Sequence, residues 1–248
     1  MDNRVKVQGI ILSVMNVGEY DRRVTILSKE RGKISAFAQG ARRTGNSLLA
    51  KTQLCTLGTF YLYTGRDSFK VSEVEVIDYF ESFRTDLSAA YHAMYFCEIA
   101  SFYTRENNDE RDMLQLVYAA LKTLEKKVLP TKLIKAIFEL KAVCISGEAP
   151  LTGECVICHK KTEDRLFSID AGGAVCKSCA AQMSQRNMLR LSDSTWYAIW
   201  FIVKTKPSAL FTFKVTDEVL SELSEVAVRY LKGRTDHEFK GEKLLEIL

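Results

Sequence analysis

The sequence predicts an α+β chain of more than one domain: a small β barrel or sandwich, then helices, with a four-cysteine metal module set among them. Three observations predict it. β-rich runs broken by turn residues fill Val5 to about Phe80, apolar residues then recur at three- and four-residue steps, and C-x2-C-x17-C-x2-C spans Cys155 to Cys179. The chain has 248 residues, 47% apolar and 27% charged, which is enough to bury a substantial core. The boundaries drawn from these patterns are 1–80 for the β part, 81–150 and 186–248 for two helical parts, and 151–185 for the cysteine module.

The β part reads as five strands: VKVQGIILSV, VTILS, KISAFAQ, GTFYLYT and FKVSEVEVIDYF. In the third, Ile34, Ala36 and Ala38 share one face while Lys33, Ser35, Phe37 and Gln39 share the other, so Phe37 lies on the polar side. In the fourth, Phe60 and Leu62 oppose Tyr61 and Tyr63. One pair faces the core, and alternation does not choose which.

After Thr85 the texture becomes helical. Leu87, Ala90, Tyr91, Met94, Tyr95, Ile99 and Phe102 form an amphipathic stripe over Thr85 to Tyr103. Asp112 to Lys127 and Thr131 to Ile145 repeat that pattern, with Pro130 marking the break between them. GEAPLTG at 147–153 is a linker into the cysteine region, and helical pattern resumes near Ser192. Thr216 begins a further helix: its hydroxyl can cap the free amides, and Asp217 and Glu218 suit the positive helix end. The stripe of that helix is Leu220, Leu223, Ala227 and Tyr230.

Cys155, Cys158, Cys176 and Cys179 have the spacing of a structural zinc site. Each C-x-x-C turn aims two sulfurs at one point, and four thiolates complete a tetrahedral Zn2+ shell, one ion per chain, with no position left for substrate. Phe167 to Asp170 reads as a strand and Ala171-Gly-Gly-Ala174 as a hairpin turn. A module of about 30 residues has little core of its own, so metal binding supplies its folding energy. A thiol redox pair is the competing reading, although a thioredoxin-like site needs one C-x-x-C rather than two. His159 reads as a surface neighbour of the complete cysteine set, and Cys55, Cys97 and Cys144 as small buried side chains.

Net charge is +4, and all of that surplus lies in the β part: residues 1–80 carry 12 basic and 8 acidic side chains. Between Arg22 and Lys51 stand Arg22, Arg23, Lys29, Arg31, Lys33, Arg42, Arg43 and Lys51 against the single acid Glu30. Such a patch attracts a polyanion. Arg42 and Arg43 sit in FAQGARRTGNS, where Gly40 and Gly45 let a polymer approach closely. The alternative is a solvated loop. Phe37 beside these cations either stacks a base or packs under a neighbouring loop, and Arg22 either meets a phosphate or pairs with Glu19 or Asp21. Lys51 and Arg66 are candidates by charge alone.

No run approaches the about 20 apolar residues of a membrane span, and MDNRVKVQG lacks the layout of an export signal, so a cytoplasmic location is expected. G-x-x-x-x-G-K-[ST], H-E-x-x-H and G-x-S-x-G are all absent, and His92, His159 and His237 are scattered. The expectation is a protein without an enzymatic site or small-molecule substrate.

GIILSVMNVGEYDRRVTILSKERGKISAFAQGARR, followed by GEAPLTGECVIC and FSIDAGGAVCKSCA, resembles the RecO recombination-mediator family. The likeness is specific at 9–43 and 147–180 and diffuse after about 185. It implies an N-terminal OB-fold barrel, a helical domain and a zinc-binding module. It also implies a bacterial, cytoplasmic protein, nucleoid-associated when bound to DNA, that binds single- and double-stranded DNA and anneals complementary strands. With RecR such a protein helps load RecA onto DNA coated by single-stranded DNA-binding protein, whose acidic C-terminal tail is a partner. Carried onto this sequence, the matching blocks give Arg22, Arg23, Lys33, Arg42 and Arg43 as DNA contacts. The competing function is a zinc-bearing scaffold that recognises acidic peptides.

Overall fold

In a computed structural model, which describes residues 4–65 and 68–247, the first five strands close into a barrel in the order β1-β2-β3-β5-β4. They are β1 (Arg4–Val17), β2 (Asp21–Ser28), β3 (Gly32–Ala38), β4 (Leu57–Thr64) and β5 (Phe69–Asp78). All pairings are antiparallel except β3 with β5, which closes the barrel through Ala36 opposite Phe69 and Phe37 opposite Lys70. The sequence left barrel or sandwich open; the closure is that of an OB-like barrel.

β1 makes closure possible because it is long enough to serve two neighbours. Residues 4–10 pair with β4, and residues 9–17 pair with β2 across an irregularity between Ile11 and Ser13. Gly9 lies where the two pairings overlap, and a Cβ there would collide with the Leu27 carbonyl oxygen. Only glycine fits.

Alternation fills the interior with Val7, Ile11, Val24, Ile26, Ile34, Ala36, Phe60, Leu62, Val71 and Val74, all buried. Phe60 and Leu62 are therefore the inward pair of β4, and Tyr61 and Tyr63 face outward. A short helix, α1 (Leu48–Lys51), inserts Leu48 into the same core. β5 stops at Asp78, two residues before the end expected from the sequence, because Phe80 adopts a left-handed φ of 51° and turns the chain into a 3-10 segment, Glu81–Arg84.

The described residues pack as two compact units, Met1–Lys126 with Phe239–Leu248, and Lys127–Glu238. In the first, α2 (Leu87–Tyr103) packs on β1, on α3 (Arg111–Lys126) and on α8 (Lys240–Leu245). Asp86 caps α2 by accepting from the Ala89 amide at 3.0 Å. The buried face of α2 departs from the expected stripe: Leu87 and Met94 are exposed, while Ala89, His92, Ala93, Phe96, Cys97 and Ala100 are buried. Because apolar residues surround this helix, periodicity does not define one face. Glu98 accepts from the amides of Lys240 and Gly241 at 3.0 and 2.8 Å, holding the start of α8.

In the second unit, α4 (Thr131–Ile145), α6 (Asp193–Lys204) and α7 (Asp217–Gly233) pack against one another. Ser192 and Thr216 cap α6 and α7 through the Thr195 and Val219 amides. Lys141 is buried, and its ammonium donates to the carbonyls of Ile202 and Val203 at 3.1 Å each, capping the C-terminal end of α6. A three-stranded sheet, in the order β7 (Gly173–Val175), β6 (Leu166–Ser168), β8 (Met188–Arg190), carries the cysteine region together with the short helix α5 (Lys177–Ala180). It is fixed to α7 by Phe167 against Tyr230, ring centroids 5.9 Å apart, and by Arg234 donating to the Ile169 carbonyl. The hairpin turn ends at Gly172, whose amide donates to the Ser168 carbonyl at 3.0 Å, and Gly173 already belongs to β7.

Candidate nucleic-acid interface and metal centre

Strand register places six outward side chains in one row around the barrel. Arg4 lies opposite Tyr63, Tyr63 opposite Lys70, Lys70 opposite Phe37, Phe37 opposite Arg23, and Arg23 opposite Met15. Paired residues point to the same face, so cations and flat or flexible apolar groups alternate along the row. Tyr63 is 47% and Met15 60% exposed; Phe37 is half-buried beneath Arg23, whose Cζ stands 6.0 Å from the ring centroid. Beside the row, Tyr61 has Arg4 at 4.5 Å and Lys6 at 5.4 Å from its centroid. This surface can attract phosphates and offer aromatic faces to bases.

Arg42 and Arg43 are exposed on an ordered loop after β3. The Gly40 amide donates to Asp21 at 2.7 Å, the Arg42 amide to the Tyr20 carbonyl at 2.8 Å, and the Arg43 amide to the Gly40 carbonyl at 2.9 Å. Gly40 and Gly45 hold left-handed φ values of 63° and 81°, which lets the loop fold this tightly. The Arg42 guanidinium reaches the Gly18 carbonyl at 3.2 Å, and that of Arg43 lies 4.8 Å from the Tyr20 ring centroid. Both arginines are thus gathered at the turn between β1 and β2.

The remaining candidates are disposed differently. Arg22 turns inward, and its Nη1 donates to the Leu49 carbonyl at 2.8 Å and the Thr52 hydroxyl at 3.1 Å, tying β2 to α1. Asp21, which the sequence offered as its ion partner, holds Gly40 instead. Burial and then the charge of Arg42 lower the Arg22 pKa. Lys33 donates to the Ser101 carbonyl at 2.6 Å; burial, then Arg105, lowers its pKa. Lys51 is half-buried at the end of α1, and Arg66 lies outside the described residues. Arg4, Met15, Tyr63 and Lys70 were missed. Alternation showed that they share faces within their own strands, but only register brings them into one row.

In the second unit, Cys155, Cys158, Cys176 and Cys179 place their sulfurs within 4.8 Å of one another, and these four can hold a metal ion. A tetrahedron of thiolates at about 2.3 Å from a central ion has sulfur pairs about 3.8 Å apart. The sulfurs of Cys158 and Cys176 are 3.8 Å apart, so the donor set fits such an ion. Both knuckles are shaped by backbone bonds: the His159 amide donates to the Cys155 carbonyl and the Ala180 amide to the Cys176 carbonyl, each at 2.9 Å. His159 stays outside the cluster, its side chain 71% exposed near Glu154.

Burial raises the Cys155 thiol pKa, but the amides of Cys158, Cys176 and Ile157 outweigh it and bring the thiol down to about 6. Cys179 is pushed up to about 12, first by its hydrogen bond with Cys176 and then by burial. Four thiols this close ionise together only with a cation among them. Elsewhere Cys55 and Cys97 are buried with sulfurs 3.6 Å apart, while Cys144 is half-buried, its thiol raised by burial to about 11.

Among the described residues no helix is long and apolar enough to cross a membrane. The model of the recombination protein O N terminal family matches residues 1–80, and that of the recombination protein O C terminal family matches residues 84–243. The DNA repair protein RecO of Acetivibrio thermocellus is 35% identical over 96% of this chain and 94% of its own. Those of Alkaliphilus metalliredigens and Symbiobacterium thermophilum are 32% identical over 71% of this chain and 72% of their own, and 28% over 98% and 96%, respectively. With both halves matched and the barrel and cysteine cluster in the corresponding order, the chain belongs to the RecO family of DNA repair proteins.

Proposed function

We propose that this chain is a non-enzymatic DNA-binding mediator of recombinational repair, which binds single- and double-stranded DNA without reading sequence and anneals complementary strands. One observation carries the reading: the outward row Arg4, Tyr63, Lys70, Phe37, Arg23 and Met15, with Arg42 and Arg43 on the loop beside β1 and β2. Cations that neutralise two backbones offset their mutual repulsion, and contacts confined to phosphates and base faces leave the pairing edges free. No bond is made or broken in this scheme. The proposed setting is the bacterial cytoplasm, at the nucleoid when bound, where the chain acts with RecR to load RecA on strands covered by single-stranded DNA-binding protein.

The cysteine cluster is proposed to hold one structural Zn2+, the ion whose tetrahedral thiolate preference matches four closely spaced sulfurs. Zinc supplies cross-linking and charge neutralisation there. Cys155, Cys158, Cys176 and Cys179 are all engaged, so a thiol redox role is disfavoured.

A second reading, recognition of an acidic peptide such as the tail of single-stranded DNA-binding protein, has its own support. α6 exposes Tyr197 and Trp200, stacked with centroids 5.5 Å apart, beside a groove of about 670 Å³ that Phe201, Phe213, Val219 and Lys214 help line. The two readings are compatible. The deciding experiment is annealing of complementary oligonucleotides, bare and then precoated with single-stranded DNA-binding protein. Acceleration of both supports the mediator reading; no acceleration of either rejects it.

A further inference from the structure

We propose that a polar cleft on the outer face of β1, β2 and β3 is a phosphate subsite, taking one tetrahedral phosphate from a nucleic-acid strand. This rests on the nucleic-acid reading above and names the group that seats there. The cleft measures about 270 Å³ and is lined by Ser13 and Met15 from β1, Arg23 and Thr25 from β2, Lys33 and Ser35 from β3, Ser101 from α2, and Glu106.

Its hydrogen-bond inventory is one-sided. Ser13 donates to the Thr25 hydroxyl at 2.8 Å, and Arg23 Nε donates to the Ser35 hydroxyl at 2.7 Å. Ser35 is thereby an acceptor whose own proton is unused among the described residues. In the Ser13–Thr25 pair one proton also remains, whichever hydroxyl donates. Arg23 is held by its Nε, which leaves both terminal nitrogens without a protein acceptor among the described residues and presets the fork for a tetrahedral oxyanion. Lys33 adds a second positive charge. Two hydroxyl protons and a guanidinium fork converge without acceptors among the described residues, beside an ammonium that donates to the Ser101 carbonyl at 2.6 Å and keeps its charge at the cleft.

Glu106 gives the cleft a specific signature. Its side chain is exposed at the edge, while its backbone bridges Gly32. A carboxylate there repels an entering phosphate, so neutralising it strengthens binding, whereas removing hydroxyl donors weakens binding without changing the charge.

The test uses the full chain with inorganic phosphate as the first probe, titrated against chloride at equal ionic strength and read by amide NMR. Saturable shifts at Thr25 and Ser35, absent in a T25V/S35A double variant, are expected; no phosphate-specific shift overturns the subsite whatever DNA does. The second readout is anisotropy with short labelled single strands. T25V/S35A is expected to bind about fivefold more weakly with an unchanged salt slope, and E106Q about threefold more tightly. Wild-type affinity in both variants rejects the subsite and leaves DNA binding intact. E106Q also keeps the test decisive if the double variant fails to fold. A strand carrying a 5′-phosphate that binds more tightly than its 5′-hydroxyl counterpart identifies a terminal monoester as occupant; equal binding identifies an internal diester.

Discussion

Arg23 and Phe37 face each other across β2 and β3, the guanidinium carbon 6.0 Å from the ring centroid. A cation so placed lends the ring an electrostatic partner on one side while the Nε bond to Ser35 fixes its own position. Phe37→Leu is expected to weaken single-strand binding by about 1 to 3 kcal/mol, the scale of one base–aromatic stack, and to leave the salt slope unchanged. Anisotropy at several salt concentrations measures both quantities. Unchanged affinity would assign the ring to packing alone.

Arg22 and Arg42 both carry guanidinium groups, yet they should fail in different ways. Arg22 ties β2 to α1 through the Leu49 carbonyl and the Thr52 hydroxyl, so Arg22→Gln is expected to lower stability by about 1 to 3 kcal/mol. R42Q/R43Q is expected to melt within about 2 °C of the wild type, because exposed substitutions have small effects on stability, while binding DNA more weakly. Chemical denaturation alongside anisotropy separates the two. Equal stability loss in both variants would contradict the division of roles.

The four-cysteine cluster ties stability to metal and to pH. Cys176→Ser should abolish stoichiometric zinc and destabilise the unit, as measured by metal analysis and calorimetry. Against the cost of burial, the amides of Cys158, Cys176 and Ile157 favour the Cys155 thiolate before any metal arrives, holding its thiol at about 6. Each ligand must shed its proton to bind, so metal affinity should fall as pH falls, which metal analysis after dialysis at a series of pH values measures. A folded, metal-free protein of wild-type stability would refute the structural role.

Lys122 supports the junction between β5 and α3, with Asp78 and Glu125 as ion partners and the Phe80 ring centroid 5.0 Å from its ammonium. Burial raises the Asp78 pKa, but hydrogen bonds from Lys122 and the Phe80 amide outweigh it and leave the carboxyl below its usual value. Its contribution is therefore present above the ordinary carboxylate pKa and lost as pH falls through the lowered one. Lys122→Met is expected to cost about 1 kcal/mol at neutral pH, with a smaller difference from wild type in acid. A constant difference across that range would show that the ion pair contributes nothing.

Much of this was legible in the sequence because several signals are local. Two-residue alternation gave five strands, helical pattern resumed near Ser192 where α6 starts, and Thr216 caps α7 as expected. Each C-x-x-C turn likewise places two sulfurs locally, and the pairing of the two turns across 17 residues followed from the known spacing of zinc sites. Relations between distant elements were not legible. The partner of Arg22 is a carbonyl 27 positions away, and the outward row from Arg4 to Met15 exists only once strand register is fixed. α2 is apolar on most sides, so its buried face is chosen by its neighbours, while α1 and α8 are too short to show a period.

The most direct measurement is the affinity of the full chain for short single strands of several sequences as a function of salt. The account predicts similar affinities for all sequences and a logarithmic slope equivalent to several released counterions, reduced by about 1.4 in R42Q/R43Q. No binding even in dilute buffer, or a slope untouched by that substitution, would contradict it.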